Sequence, residues 1–288
     1  MFASAEYELI DFGGGRKLER FGPYLLDRPS PAAEGEIRQH AGLWSQAAAR
    51  FERTSADRGI WIPGDDAPRL PERWQIRHGN IVLELKATPA GHLGVFPEQA
   101  ANWDWLAAQI AAAAGPVKVL NLFAYTGGST LAAAAAGAEV THVDAARNTI
   151  AWARRNAELS ALTGAPIRWI ADDAATFVRR ELKRGSRYDI VLLDPPSYGH
   201  GVKGKVWKLA DSLSGLLTDC ARRLVPERRW LLLTCHTPGY GPIELRELVA
   251  QALPHADIEC APLLLATSSG GTLMSGAMAR LRTWRDAN

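Results

Sequence analysis

Two hydrophobic patterns divide the chain. Over roughly the first hundred residues, apolar positions come in short runs broken by turns. "YELIDFGGGRKLERFG" (7–22) reads as two strands about a triple-glycine turn, and "RWQIRHGNIVLELKAT" (73–88) as a hairpin about "HGN". "RGIWIPGDDAPRLPE" (58–72) has too much proline and glycine for a helix and reads as loop with one short strand. "PEQAANWDWLAAQIAAA" (97–113) then has helical spacing. Beyond it, apolar strand-like runs at 117–123, 138–143, 166–170, 189–193, 229–234, 257–265 and 277–284 alternate with helical stretches near 128–136, 147–161, 173–184, 207–224 and 242–253.

Strands alternating with helices imply a parallel sheet covered on both faces, joined by right-handed crossovers. The last two runs have only "TSSGGTLMS" between them, which predicts an antiparallel hairpin at the sheet edge. The expected organisation is a small β-rich N-terminal domain over 1–97 and a Rossmann-like α/β domain over 98–288.

Composition narrows the class. At 288 residues, 47% hydrophobic and 22% charged, the chain has the make-up of a globular protein, and its apolar runs are too short to span a membrane. "MFASAEYELIDFGGG" lacks a basic-then-apolar signal pattern. Cys220, Cys235 and Cys260 form no CxxC pair, which disfavours a zinc knuckle or disulfide framework and fits a reducing cytoplasm; no metal is expected. The net charge of +2 decides nothing, but its distribution is uneven. "TFVRRELKRGSR" (176–187) has five basic residues against one acidic, and "KGKVWK" and "RRLVPERR" add further clusters. Gathered at one sheet edge, these would attract phosphates; taken singly, each is an ordinary solvated face.

Ligands of an open α/β sheet bind beyond the carboxyl ends of its strands, so the residues ending each strand are the candidates. The first ends in "NLFAYTGG", where Asn121, Phe123, Ala124, Tyr125, Thr126, Gly127 and Gly128 form a loop whose glycines let backbone approach a ligand closely. Its spacing is not the G-x-G-x-x-G of a pyrophosphate loop. The second ends at Asp144, suited to ribose hydroxyls. The third leads into "ADDAATF", where either Asp172 or Asp173 could accept from an adenine amino group and the other would cap the helix; Asp173 is preferred for the ligand. A ribose acid and an adenine partner without a phosphate nest point to S-adenosylmethionine ahead of a dinucleotide.

The fourth strand ends in "DPPSY". Pro195 and Pro196 have no N–H and fix φ, so the chain leaves the sheet rigidly, presenting the Asp194 carboxylate and the Pro195 carbonyl to an amino-bearing ring on which Tyr198 could stack. The alternative is a plain strand terminator. The fifth strand ends in "WLLLTCHTPG", which brings Cys235 to the same crevice. A thiolate adding to C6 of a pyrimidine would activate C5 for methylation. His236 would face the opposite side if the strand continued. A buried cysteine is more often a small hydrophobe.

With these residues assembled, the chain resembles class I S-adenosylmethionine-dependent methyltransferases, and within them the bacterial large-subunit ribosomal RNA (cytosine-5) methyltransferases. The resemblance rests on "NLFAYTGGSTLAAAAAGA", "VDAARNTIAWARRNAELS" with Asn156, "ADDAATF", "VLLDPPSYGHG" and "GVFPEQAANWDWL". It implies a seven-stranded methyltransferase sheet, Phe96 and Gln99 bordering the cofactor, and RNA, especially ribosomal RNA, as substrate. Cys235 would be the nucleophile and Asp194 the acid that orients the base. Two features differ from that family: the first hundred residues show a small β domain in place of a PUA-type module, and "TCHT" has no serine after the cysteine. The runner-up is transfer to an exocyclic amine, using Asp194, Pro195, Pro196 and Tyr198 with Cys235 only packed. A non-catalytic binding module and a dinucleotide oxidoreductase remain the alternatives from other classes.

Overall fold

The structure is a computed structural model and describes residues 1–55, 57–65, 67–200, 206–222 and 230–283. Of the basic clusters, residues 203–205 of "KGKVWK" and 223–229 of "RRLVPERR" lie outside the described residues, as do the ends of the predicted helix at 207–224 and strands at 229–234 and 277–284.

The chain divides into two compact units, Met1–Ala101 with Leu264–Ser275, and Asn102–Leu263 with Gly276–Asn288. The tip of the C-terminal hairpin thus groups with the first unit, and the boundary follows Ala101 where the sequence suggests 97/98.

The first unit holds strands β1 (Tyr7–Gly13), β2 (Arg16–Phe21), β3 (Tyr24–Pro29), β4 (Ala49–Arg53) and β5 (Gly59–Pro63), which form one sheet in that order, and a separate hairpin of β6 (Trp74–His78) and β7 (Ile81–Leu85). Both predicted hairpins and the short strand in "RGIWIPG" are present. β3 escapes the hydrophobic pattern because charged side chains, Asp27 and Arg28, occupy buried positions that would otherwise be apolar. Asp27 on β3 receives Arg16 Nε at 2.6 Å, and Arg28 gives its Nε to the fully buried Glu19 at 2.8 Å. Such charges are tolerated inside because each has its partner.

The second unit runs α1 (Ala100–Ala112), β8 (Lys118–Leu122), α2 (Gly128–Ala135), β9 (Glu139–Asp144), α3 (Arg147–Leu159), β10 (Ile167–Ala171), α4 (Ala174–Arg184), β11 (Ile190–Leu193), a ribbon of β12 (Tyr198–His200) and β13 (Val206–Lys208), α5 (Leu209–Ala221), β14 (Trp230–Cys235) and α6 (Pro242–Ala252), then β15 (Asp257–Ala266) and β16 (Thr272–Thr283). Seven strands form one sheet in the order β10-β9-β8-β11-β14-β16-β15. Its first five strands are parallel, as the alternation predicts. The last two strands are neighbours at the edge, as expected, with β16 on the inside, paired antiparallel to β14, and β15 outermost.

Local signals set the element ends. Asp173 caps α4 by accepting from Thr176 N, and Gly185 closes it at φ +70°. The central strands are nearly all apolar because helices cover both faces, and β11 is buried at every position. The ribbon β12–β13 is not legible in the sequence, which suggests helix from 207. No helix among the described residues is long and apolar enough to cross a membrane.

Candidate functional site

The strand order reverses between β8 and β11, so the loops leaving their carboxyl ends diverge and open a crevice. The loop after β8 is strained. Phe123 and Tyr125 take left-handed backbone at φ +55° and +50°, and Gly127 follows at +92°. Bulky residues adopt that conformation only when their surroundings enforce it, and such strain gathers at functional loops. Here Ala124 N donates to Val143 O (3.1 Å), Tyr125 N to Asp144 Oδ2 (2.9 Å), and Asn156 Nδ2 to Thr126 O (2.9 Å). The buried Asn156 on α3 is therefore a fastener of the loop.

The glycines serve packing. A Cβ on Gly128 would stand 2.4 Å from Trp103 Cζ2 on α1, and one on Gly127 would stand 3.1 Å from Ala153 Cβ on α3. Both glycines, expected from the sequence to serve the ligand, are already required by the neighbouring helices. Asn121 points inward, not to the crevice mouth. Its Nδ2 donates to Thr130 Oγ1 (2.9 Å), which stands 2.9 Å from His142 Nδ1. Burial and, second, the Arg154 charge push the His142 imidazole down to about 3.

Asp144, ending β9, accepts from Tyr125 N and Ala146 N and stays half-buried. Burial raises its pKa, and the two backbone donors partly offset this. A carboxylate has about four lone-pair sites, so two remain to accept from ribose hydroxyls. Asp172 N donates to Asp144 O at 3.0 Å, which puts the ends of β9 and β10 side by side. The Asp173 carboxylate is engaged with Thr176 N (2.9 Å) and Thr176 Oγ1 (2.7 Å) as the cap of α4. The preference for Asp173 therefore gives way to Asp172, whose carboxylate pairs with Arg180. This donor set fits an adenosine without phosphates.

Across the switch point, Asp194 follows β11 with its side chain 33% exposed. Pro195 is buried, and its carbonyl takes no hydrogen bond among the described residues. The Pro196 carbonyl is occupied by Trp207 Nε1 (2.7 Å), and the Trp207 ring packs on Phe123 at 4.8 Å, which joins the two loops. Tyr198, on β12, is 53% exposed. Ser197 Oγ lies 2.7 Å from Thr237 Oγ1, tying this loop to the end of β14. Trp207 and Thr237 carry no motif signal; only the fold brings them to Pro196 and Ser197.

Cys235 is the last residue of β14 and has no exposed surface. Burial raises its thiol pKa; hydrogen bonds from Thr237 lower it in part, and the Asp194 charge raises it again. Because the strand stops at Cys235, the alternation that would turn His236 away does not apply. Its Nε2 lies 3.5 Å from Asp194 Oδ1, a correction to the sequence reading. Phe96 and Gln99 lie in the first unit. Phe96 is half-buried ahead of a single 3-10 turn (Pro97–Gln99) that leads to α1, and Gln99 is buried.

A seven-stranded, mostly parallel sheet with an antiparallel hairpin, acids ending β9, β10 and β11, and a strained loop at the switch point define a Rossmann-like methyltransferase. Comparison with known proteins agrees. The profile of S-adenosylmethionine-dependent methyltransferases matches residues 44–259, and the chain belongs to that family. It aligns over 98% of its length, with 37% identity and a TM-score of 0.92, with 91% of the crystal structure of a SAM-dependent methyltransferase from Agrobacterium tumefaciens. It is 36% identical over 111 residues (38% of this chain, 15% of the relative) to ribosomal RNA large subunit methyltransferase K/L of Hahella chejuensis. It is 38% identical over 104 residues (36% and 23%) to ribosomal RNA large subunit methyltransferase I of Aeromonas hydrophila. These alignments span less than a quarter of either curated relative.

Proposed function

We propose that the protein methylates a nucleobase of RNA, with large-subunit ribosomal RNA as the substrate class, at an exocyclic amine that faces Asp194 and Pro195. One observation carries the choice of atom: the Asp194 carboxylate and the Pro195 carbonyl stand at the switch point, while Cys235 beside them has no exposed surface. A catalytic thiol needs access and a lowered pKa, and burial works against both. The names of the relatives supply the RNA class.

In this reading Phe123–Gly128, Asp144 and Asp172 hold S-adenosylmethionine. The cofactor supplies a sulfonium methyl. Asp194 and Pro195 O accept the two amine N–H groups and so turn the nitrogen lone pair toward that methyl. As the N–C bond forms, the S–C bond breaks, and Asp194 takes the proton released from nitrogen. Tyr198 offers an exposed ring on which the base stacks.

The position of Cys235 favours a second reading, cytosine C5. It ends β14 within the field of Asp194, where a thiolate could add to C6 while Asp194 holds the N3/N4 edge. Transfer from isotope-labelled S-adenosylmethionine to ribosomal RNA, with product nucleosides identified by mass spectrometry, separates the readings. An N-methyl nucleoside, with turnover kept in Cys235→Ala, is the expected result. Labelled 5-methylcytidine, with a dead Cys235→Ala, establishes the second reading. No label in RNA would reject both.

A further inference from the structure

Residues 147–187 carry nine Lys and Arg against four Asp and Glu, a surplus of five in a chain whose net charge is +2. They form α3, β10 and α4, and β10 is the edge strand of the seven-stranded sheet. Alternation along β10 sends Arg168 toward α4 and Trp169 toward α3. On the α4 side, the guanidinium groups of Arg168 and Arg180 each lie 5.8 Å from the Phe177 ring, and Arg184 Nη1 is 3.0 Å from Glu181. On the α3 side, Arg154 lies 5.8 Å from the Trp169 ring. The side chains of Arg155, Arg168, Arg180 and Arg184 remain 49%, 51%, 48% and 55% exposed.

Three of the four acids in this segment are engaged elsewhere: Glu181 is buried, Asp173 caps α4 and Asp172 follows β10 at the cofactor side. The fourth, the exposed Glu158, pairs with Arg155 at 3.0 Å. The first unit is the opposite case. Its residues 1–101 carry twelve basic against fourteen acidic side chains, and Arg16 and Arg28 pair inward with Asp27 and Glu19.

We infer that the β10 edge, from Arg154 across Arg168 to Arg184, docks the phosphodiester backbone of the RNA substrate. The Trp169 ring is already packed beside His142, at 4.8 Å, with Arg154 at 5.8 Å, so what the edge offers RNA is its arginine charge. β10 runs into Asp172, which bonds Asp144 beside the loop that follows β8, so RNA held there arrives at the crevice side of the sheet. This assignment rests on the RNA reading above.

The test is binding of a fluorescent ribosomal RNA transcript over a series of salt concentrations, with S-adenosylhomocysteine binding as the check on the folded pocket. Each phosphate contact contributes about 0.7–0.9 to the slope of log K against log salt. The triple variant Arg154→Gln, Arg168→Gln, Arg184→Gln should therefore lose roughly 2–3 in slope and bind at least tenfold more weakly at low salt, with S-adenosylhomocysteine affinity unchanged. The charge-matched Arg53→Gln, Arg58→Gln, Arg69→Gln protein should bind RNA like wild type. Equal losses in the two triple variants, or none in the first, overturn the docking edge and leave the RNA reading standing. Absence of RNA binding by the wild type overturns both.

Discussion

At the scale of single residues, the two adjacent acids of "ADDAATF" have separate tasks. Asp173 fills two hydrogen bonds at the start of α4, and removing an N-cap costs about 1 kcal/mol. Asp173→Ala should lower the urea midpoint accordingly and leave S-adenosylhomocysteine affinity near wild type. Asp172→Ala should do the reverse, and calorimetric titration of the two variants checks it. His142 is a second case. It is neutral in the fold because burial pushes its pKa down to about 3, whereas in the unfolded chain it takes a proton below about 6.5. The unfolded state thus binds more protons in that window, and stability falls as pH falls, by on the order of 3 kcal/mol by pH 4. His142→Phe keeps a ring against Trp169 and cannot titrate. Its melting temperature should therefore approach that of wild type steadily between pH 6.5 and 4.

At the scale of elements, the loop after β8 shows how helices shape a binding loop. Gly128 opens α2 against Trp103 of α1, so an added methyl has to displace a buried indole. Overpacking of this kind costs about 1–3 kcal/mol. Gly128→Ala should lose that much stability in the absence of any ligand, read from urea unfolding. A glycine kept only for ligand approach would leave the unliganded midpoint untouched. The same packing explains why the strained φ of Phe123 and Tyr125 persists: Asn156, Val143 and Asp144 hold the backbone on three sides.

At the scale of the whole molecule, family membership sets the ligand. S-adenosylhomocysteine at a hundred times its Kd should stabilise the protein by about 2.7 kcal/mol, seen as a rise in melting temperature. NAD at the same concentration should give no shift, because the loop after β8 lacks the glycine spacing that cradles a pyrophosphate. The uneven charge belongs to this scale too, since a surplus confined to the α3–β10–α4 edge gives the molecule one face that attracts polyanions.

The sequence alone determined what depends on local chemistry and period. The alternation of apolar runs and helical stretches from 117 onward yielded the strands, helices and edge hairpin of the larger sheet. Asp144 and Asp194 were legible because an acid directly after a buried strand must sit at the sheet's carboxyl edge. The tertiary structure decided what depends on contacts distant in sequence. β3 hides because its buried charges, Asp27 and Arg28, are neutralised by Arg16 and Glu19 on β2. That Asn121 turns inward follows from Thr130 and His142 waiting there. Cys235 and His236 exchange prominence because β14 stops one residue short of the histidine and the core closes over the thiol. Strand alternation can be read along a chain, but where a strand stops and what covers its last side chain are set by packing, and packing is a property of the folded whole.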